Sequence, residues 1–247
     1  MILSLFVSFS FQSGILSETK EGCKLQIQNC RGLIFDLDGV IVHTDRYHYR
    51  AWKTIADRLG IPFDETVNNR LRGVSRAESL AIILEGCRGA LPTEAERRRL
   101  ADEKNRIYRQ SLSALTSADA ADGVRETLAT LRTRGYRLAI GSSSRNAGLI
   151  LDRLDLRGAF DTVTDGNDIA HSKPDPEVFL KAAKGLGLMP WECAVIEDAT
   201  AGITAAKMGG MTAIAIGDAT NDPRADIRLE RFSDLTDLFG TRSEAHA

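Results

Sequence analysis

The sequence has few cysteines, and their spacing excludes the common roles of clustered thiols. Four occur in 247 residues, at Cys23, Cys30, Cys87 and Cys193. They form no Cys-x-x-Cys pair, and no histidine stands at the spacing of a zinc ligand. Neither a disulfide framework nor a structural zinc site is therefore expected. We expect reduced thiols and a cytoplasmic protein.

The sequence also lacks an excess of either charge. Lysine and arginine together number 32, aspartate and glutamate 34, and the formal net charge is -2 at pH 7. The absence of a broad basic field excludes nucleic acid as the main partner, so any affinity for anions must be local. We expect small-molecule partners and a monomer.

The apolar stretch at the start of the chain is too short to cross a membrane. It runs from Met1 to Leu16, whereas a spanning helix needs roughly 20 residues. It resembles the apolar part of a signal peptide, but no lysine or arginine precedes Lys20, and no small-residue cleavage site follows. We therefore expect no membrane partner. Residues 1–30 are interpreted as a leader of unknown role, either disordered or produced by a mis-chosen start codon.

Beyond the leader, short apolar segments alternate with helical patterns. Hydrophobic residues recur at helical spacing, as at Val124, Leu128 and Leu131. The predicted strands are Gly32–Phe35, Arg137–Gly141, Phe160–Val163, Cys193–Ile196 and Thr212–Ile216. Strands alternating with helices predict an α/β fold with a parallel sheet.

The alternation stops between about residues 46 and 114. This interval is rich in arginine and in helical patterns, and it contains no convincing strand. Thr93 and Glu96 form a capping-box signature at the start of a long charged helix. We therefore predict a core of residues 31–45 and 115–247, with a small helical cap of residues 46–114 inserted after the first strand.

Acidic residues directly follow the first and the fourth predicted strands. These are Asp36 and Asp38, and Glu197 and Asp198. Ligands of parallel sheets bind beyond the carboxyl ends of the strands, so the four carboxylates are expected to converge. Their mutual repulsion calls for a cation, and hard oxygen ligands suit Mg²⁺. From the residues alone, a solvated turn for the first pair and a helix cap at Asp198 remain alternatives.

Two further residues suit a phosphate group. Ser142 ends the second strand, where its hydroxyl and the backbone N–H groups at the predicted start of the next helix suit phosphate oxygens. Lys173 lies in a proline-braced loop before a helix that is predicted to begin near Glu177, so its ammonium group should be held in place. A simple serine turn and a surface lysine are the alternatives.

Taken together, these segments resemble the haloacid dehalogenase-like phosphotransferases. Asp36-Leu-Asp-Gly-Val40, Ser142, Lys173-Pro-Asp-Pro176 and Glu197-Asp198 match the four motifs of that superfamily in order. The resemblance implies a Rossmann-like, three-layer parallel sheet with a small helical cap. It also implies that Asp36 is a nucleophile that becomes phosphorylated and that Asp38 is the general acid and base. Mg²⁺ would be held by Asp36, the main-chain carbonyl of Asp38, and Glu197 and Asp198, while Ser142 and Lys173 would bind the transferring phosphoryl group.

Within that superfamily, the chain from Gly32 onward resembles the β-phosphoglucomutases. The resemblance implies that Arg76 binds a distal phosphate, that Gly73 lets the backbone approach the sugar, and that His48 helps to orient it. A solvated arginine and a packed cap helix are the alternatives from the residues alone. The substrate-binding residues implied are Thr44, His48, Trp52, Arg72, Gly73, Arg76, Lys104, Asn105, Ser142, Ser143, Ser144, Arg145, Asn146 and Lys173.

The function implied is a phosphomutase that interconverts β-D-glucose 1-phosphate and D-glucose 6-phosphate. An aspartyl-phosphate and β-glucose 1,6-bisphosphate would be intermediates, and cap closure would exclude water. Ala199 departs from the pattern, since a serine often follows the acidic pair, and so does Gly141 before the serines. A sugar-phosphate or phosphoglycolate phosphatase and a non-catalytic sugar-phosphate sensor remain alternatives. A dehalogenase is disfavoured, because Asp38 supplies an acid and base that dehalogenation does not need.

Overall fold

A computed structural model describes residues 27–242, so nearly all of the predicted leader, residues 1–30, lies outside the described residues. Within them, six strands form one sheet in the order β3-β2-β1-β4-β5-β6, and every neighbouring pair is parallel. The strands are β1 (Gly32–Phe35), β2 (Arg137–Gly141), β3 (Thr162–Thr164), β4 (Cys193–Glu197), β5 (Thr212–Ala215) and β6 (Ile227–Arg228). The predicted α/β class with a parallel sheet is confirmed.

Helices occupy the connections between the strands. Those between β1 and β2 are α1 (Asp45–Arg58), α2 (Glu65–Asn69), α3 (Arg76–Leu84), α4 (Glu94–Leu112) and α5 (Val124–Thr133). The later connections up to β5 contain α6 (Ala147–Arg153), α7 (Glu177–Gly185) and α8 (Thr200–Met208), and α9 (Leu235–Leu238) follows β6. In residues 27–242, none of the helices is both long enough and apolar enough to span a membrane.

The central strand β1 is buried on both faces. Leu33 and Phe35 pack into a cluster with residues of α5, α6 and α9, whereas Ile34 points to the opposite face and packs with residues of α7 and α8. All three side chains are fully buried. A strand covered on both faces reads as a continuous apolar run, which explains its pattern in the sequence. The sheet is therefore the middle of three layers.

Two predictions of strand position were incomplete. β3 begins at Thr162 rather than Phe160, because the N–H of Phe160 closes a tight turn onto Arg157 and its ring packs on Phe35. Ladder pairing with β2 starts only at Thr162. The edge strand β6 was not predicted, since two residues are too few to show a periodic pattern.

Residues 45–112, called the helical insertion below, enclose a hydrophobic cluster of their own. Helices α1 and α4 pack against each other, and the fully buried Trp52 lies among aliphatic residues of α1 and α3. Helix α4 begins with the predicted capping box: Thr93 accepts from the N–H of Glu96, and the Glu96 side chain accepts from the N–H of Thr93. The insertion therefore carries its own apolar core beside the sheet.

Candidate active site

A cavity of about 940 Å³ lies between the carboxyl ends of the strands and the helical insertion. Both parts of the chain contribute to its walls. The predicted site residues that line it are Asp36, Asp38, His48, Trp52, Arg72, Gly73, Arg76, Lys104, Asn105, Ser142, Ser143, Ser144, Arg145, Asn146 and Asp198. Thr44, Lys173 and Glu197 lie behind this wall: Thr44 contacts Asp38 and Lys173 contacts Asp36 of the wall, and Glu197 contacts Lys173. The structure thus gathers residues from more than 160 positions of sequence around one space.

Three buried carboxylates cluster at the ends of β1 and β4. Asp36, Glu197 and Asp198 each offer an oxygen, and these oxygens all lie within 4.8 Å of one another. Gly39 makes this approach possible: its φ is 91°, and a Cβ at this position would lie 2.1 Å from Oδ2 of Asp198. The Asp38 carboxylate is not part of the cluster. The structure therefore brings together three of the four predicted carboxylates.

Lys173 is the cation of this cluster. Its side chain is completely buried, so the alternative of a surface lysine is wrong. The ammonium group donates to Oδ1 of Asp36 and, over 2.6 Å, to Oε1 of Glu197. Burial alone would lower the pKa of Lys173, but the two carboxylates together raise it above its ordinary value. Lys173 is consequently held charged in the interior.

The cluster carries more negative than positive charge. Three carboxylates face one ammonium group, and burial, then Glu197 and Asp36, raise the pKa of Asp198 well above its ordinary value. Burial and then Asp36 also raise the pKa of Glu197, although Lys173 opposes the rise. Two uncompensated charges on hard oxygen donors fit a divalent ion such as Mg²⁺.

The free oxygens of the cluster belong to Asp36 and Asp198. Glu197 uses Oε1 for Lys173, and its Oε2 accepts from the N–H of Ala199 over 2.9 Å. The alternative of Asp198 as a helix cap is wrong, because the N-cap of α8 is Ala199 and no side chain caps that helix. The donor set open to a cation is therefore the Asp36 and Asp198 carboxylates.

Asp38 is set apart from the cluster and held by neighbours of its own. Its Oδ1 accepts from the Thr44 hydroxyl, and the Tyr108 hydroxyl lies 3.5 Å away. Burial, then repulsion by Asp36, raises the pKa of Asp38 to about 7, while the hydrogen bond from Thr44 opposes this. A carboxyl group with that pKa both gives and takes a proton near neutral pH.

Thr44 and Tyr108 both approach Asp38, a role that the sequence analysis did not assign to either residue. Thr44 was predicted to bind substrate, but it is fully buried and its hydroxyl is directed to Asp38. Tyr108 was not predicted at all. It lies one helical turn after Lys104 on α4, so the i, i+4 spacing was the signal available in the sequence.

The insertion contributes a wall of basic groups. Nζ of Lys104 lies 2.8 Å from Nδ1 of His48 and 4.6 Å from the centre of the Tyr108 ring. Burial, then Arg76, lowers the pKa of Lys104 to about 7, against the pull of Asp38. Burial, then Lys104 and Arg76, also lowers the pKa of His48 well below its usual value. This wall is therefore electropositive and poorly hydrated.

Arg76 is the strongest anion-binding candidate on that wall. Its nearest carboxylate is Asp102, 3.9 Å away, and the Asp102 side chain is 82% exposed. Burial, then Arg145, lowers the pKa of the Arg76 guanidinium, and Asp102 only partly offsets this. An anionic ligand would relieve the repulsion between these cations.

The serine loop after β2 differs from its prediction. Helix α6 begins at Ala147, so Ser142 stands five residues before the helix rather than at its start. Side-chain turns take up the interval: the Ser142 hydroxyl accepts from the N–H of Ser144, and the Ser144 hydroxyl accepts from the N–H of Asn146. Any phosphate contact from Ser142 would thus come from the loop and not from a helix terminus.

Other predicted residues join the insertion to the core. Asn146 donates to Asn105 over 3.0 Å and accepts from Arg109, also over 3.0 Å. Arg145, by contrast, stays within the core and donates to the carbonyl of Gly166. The predicted contact of Asn146 with substrate is therefore shared with contacts to helix α4.

Arg72 makes a second junction of this kind. Its Nη2 donates to Asp45 over 2.8 Å, and its Nη1 donates to Asp218 in the loop after β5. Neither acidic partner was predicted, because nothing in the sequence links positions so far apart. Both terminal nitrogens of Arg72 are therefore engaged with protein.

Comparison with known proteins places this geometry in a family. The model of the haloacid dehalogenase-like hydrolases matches residues 30–210. A β-phosphoglucomutase of Bacillus subtilis is 44% identical over 207 residues, which cover 83% of this chain and 92% of that protein. A phosphorylated carbohydrates phosphatase of Thermotoga maritima is 32% identical over 196 residues, covering 78% of this chain and 88% of that protein.

A solved structure agrees with these matches. The crystal structure of a β-phosphoglucomutase from Clostridium difficile superposes with a TM-score of 0.78 at 36% sequence identity. The match covers 83% of this chain and 93% of that one. The fold as a whole therefore has a counterpart along nearly the whole length of that protein.

Proposed function

The chain belongs to the haloacid dehalogenase-like hydrolases, and within them we propose that it interconverts β-D-glucose 1-phosphate and D-glucose 6-phosphate. One observation carries the proposal: a single cavity has a buried carboxylate cluster on one wall and, on the other, basic groups that include Arg76, whose ion-pair partner Asp102 is 3.9 Å away and 82% exposed. A bisphosphate intermediate has two phosphates and needs two such sites at once. This arrangement suits β-glucose 1,6-bisphosphate.

The reacting group, Asp36, lies on the wall of the cavity formed by the ends of the strands, called the core wall below. The facing wall, formed by the helical insertion, is called the insertion wall. Asp36 attacks phosphorus through a carboxylate oxygen, so a phosphorus–oxygen bond to Asp36 forms while the bond to the sugar oxygen breaks. Lys173, beside Asp36, offsets the charge that develops on the phosphoryl oxygens, and Ser142 offers a hydroxyl at the end of β2. Asp38 gives a proton to the sugar oxygen that leaves. In the second transfer the sugar hydroxyl attacks the phosphoryl group, the bond between phosphorus and Asp36 breaks, and Asp38 takes the proton of the hydroxyl.

The residues that would hold Mg²⁺ are Asp36 and Asp198, with the main-chain carbonyl of Asp38, and with Glu197 behind them. When bound, the ion would neutralise the carboxylates and the phosphoryl oxygens. The fit rests on the excess negative charge of the cluster and on its hard oxygen donors.

The opposite wall would hold the rest of the substrate. Arg76 binds the phosphate that is not reacting, and Lys104 and His48 contact sugar hydroxyls. Trp52 and Gly73 border the space for the sugar ring. Once the C6 hydroxyl of β-glucose 1-phosphate has taken the phosphoryl group from Asp36, the resulting bisphosphate reverses its direction, so that its C1 phosphate faces Asp36.

The helical insertion would act as a cap that keeps water from the phosphorylated Asp36. We assign residues 46–114 to this cap and residues 31–45 and 115–247 to the core, as the sequence predicts. The hydrogen bonds of Asn146 with Asn105 and Arg109 close one side of the cavity, which supports this assignment. Closure makes the sugar hydroxyl, rather than water, the acceptor. We further propose a cytoplasmic monomer.

A phosphatase that acts on sugar phosphates is the second candidate. It is favoured by the 32% identity with the phosphorylated carbohydrates phosphatase of Thermotoga maritima. Such an enzyme would use the same core wall but would admit water to the phosphorylated aspartate. The two candidates therefore differ only in the acceptor.

An anomer-resolved assay separates them. The protein is supplied with Mg²⁺, β-glucose 1-phosphate and a trace of glucose 1,6-bisphosphate, and both glucose 6-phosphate and inorganic phosphate are followed by ³¹P NMR. We expect glucose 6-phosphate to form in large excess over inorganic phosphate, and α-glucose 1-phosphate to be inert. Release of one phosphate for each sugar consumed, without glucose 6-phosphate, would overturn the mutase in favour of the phosphatase.

A further inference from the structure

The segment of residues 72–78 in the helical insertion touches three different loops of the core. Ser143, after β2, donates to the carbonyl of Gly73 over 3.0 Å. The Ser172 hydroxyl, in the loop before α7, donates to Glu78. Asp218, after β5, accepts from Arg72. This segment therefore holds the insertion against the core beside the cavity.

Arg72 contributes the ionic part of this fastening. It joins Asp218 of the core to Asp45, the first residue of α1, where the chain passes from core to insertion. One guanidinium group thus joins the start of the insertion to the loop after β5. Planar guanidinium groups suit such double contacts with carboxylates.

The contacts of Arg72 with Asp45 and Asp218, called the bridge below, are weak enough to break and form again. The Asp218 side chain is 76% exposed, which limits the strength of its ion pair. Nε of Arg72 is buried and has no hydrogen-bond partner among residues 27–242, a penalty that opening would remove. The closed arrangement is therefore held by a weak attraction and opposed by an unsatisfied donor.

We propose that the Asp45–Arg72–Asp218 bridge determines how often water reaches the phosphorylated Asp36. Arg72 is a positioning residue and does not contact substrate. This inference rests on the proposed function, in which closure selects the sugar hydroxyl. In the side reaction, water's oxygen bonds to phosphorus, the bond between phosphorus and Asp36 breaks, and water's proton passes to Asp38. Inorganic phosphate is the product.

The test measures two rates in Arg72→Gln, Asp218→Asn and the double variant. The first is the decay of the phosphorylated protein in the absence of sugar, after phosphorylation by a small acyl phosphate. The second is phosphate released per glucose 6-phosphate formed. We expect each single variant to raise both by about two- to five-fold, equivalent to about 0.4–1 kcal/mol. The double variant should match the singles, because the bridge is broken once.

Arg70→Gln is the matched control. Arg70 lies two residues away and pairs with Glu85 inside the insertion, so neither rate should change. A direct contact between Arg72 and substrate would instead raise KM in Arg72→Gln alone and add to the effect of Asp218→Asn, which would overturn the proposal. Unchanged decay in all three variants would also overturn it. A wild-type protein that forms no glucose 6-phosphate would refute the mutase, while the decay rates still decide the role of the bridge.

Discussion

The two walls of the cavity differ in how their charges are balanced. On the core wall, Lys173 lies between Asp36 and Glu197, and a divalent cation would balance the remaining negative charge. On the insertion wall, burial and then Arg145 lower the pKa of Arg76, while burial and then Arg76 lower the pKa of Lys104. Among the described residues, neither group forms an ion pair with a buried carboxylate, since the partner of Arg76 is the exposed Asp102. On the core wall, the protein itself supplies part of the compensating charge. On the insertion wall, a bound anion would have to supply it.

Under the proposed function, the core wall carries the groups that transfer phosphate, and the insertion wall carries the groups that bind the rest of the substrate. The core groups are positioned by the ends of two adjacent strands, β1 and β4, whose ladder fixes their distance. The basic groups stand on helices of the insertion, which contacts the core through hydrogen bonds and through buried side chains such as Tyr47 and Leu112. Variants of the core wall should therefore abolish transfer or weaken the fold, whereas variants of the insertion wall should change affinity and pH response.

The largest effect is expected at the reacting group. Asp36→Asn should lower transfer by about four orders of magnitude or more, because an amide is not a nucleophile for phosphorus. Formation of glucose 6-phosphate measures the loss, and intact mass spectrometry should show no phosphorylated protein. Asp237→Asn, at an exposed acid on α9, is the control and should leave both unchanged. Substantial turnover in Asp36→Asn would refute both the nucleophile and the catalytic reading of the core wall.

The next effect concerns the stability of the core wall. Lys173→Met should lower the free energy of unfolding by about 3–5 kcal/mol, since it leaves buried carboxylates without their cation. Urea unfolding without Mg²⁺ measures this, and added Mg²⁺ should recover part of the loss. In Lys181→Met, which removes a surface partner of Glu177, the change should stay below about 1 kcal/mol. Equal losses in the two variants would contradict the charge balance described here.

A smaller effect is expected on the insertion wall. Arg76→Met should reduce kcat/KM for the mutase reaction by about 10- to 100-fold, the range for hydrogen bonds to charged groups. Phosphorylation of Asp36 by a small acyl phosphate, which has no second phosphate, should be unaffected. Arg70→Met serves as the control for a change of charge in the insertion. If Arg76→Met slowed both reactions equally, Arg76 would not be the distal phosphate site.

The smallest effect is a change in pH dependence. The pKa of Lys104 is about 7 in the folded protein and near its ordinary value when unfolded. Between these values the unfolded chain binds one more proton, so Lys104 makes stability rise with pH, by at most about 1.4 kcal/mol per pH unit. The stability contributed by neutral Lys104 therefore decreases as pH falls from about 10 to about 7, and below pH 7 Lys104 adds no further pH dependence.

Lys104→Met should therefore flatten the rise in stability between about pH 7 and pH 9. Urea unfolding of both proteins across this range provides the measurement, and Arg106→Met, on the exposed side of α4, is the control. Parallel curves for wild type and Lys104→Met would show that Lys104 is charged throughout, and the contrast between the two walls would disappear.

Much of the core wall was predictable because its residues are near one another in sequence or follow strands directly. Asp36 and Asp38 end a run of buried residues, and Glu197 and Asp198 end another. In a parallel sheet such ends lie on one edge, so local pattern alone places them together. The cation of the cluster was harder to recognise: Lys173 looks like any surface lysine until its loop folds over Asp36.

The positions of several other site residues could not be predicted, because they depend on tertiary packing. Tyr108 was missed, although it approaches Asp38, and Thr44 was expected to face the substrate rather than Asp38. Ser142 was predicted to end a strand directly before the start of the next helix, whereas hydrogen bonds within the serine loop delay that helix to Ala147. In each case several local conformations suit the sequence, and contacts from distant segments select one.

By itself, the sequence determined the parallel sheet, the helical insertion after β1 and the acids that end β1 and β4, because periodicity and strand ends are local properties. Only the tertiary structure decided which oxygens of the cluster stay free, that the ion-pair partner of Arg76 is an exposed carboxylate, and that Arg72 joins Asp45 to Asp218. Charge balance and burial depend on every group within a few ångströms of a site. Those groups come from segments far apart in the chain, so no local pattern records them.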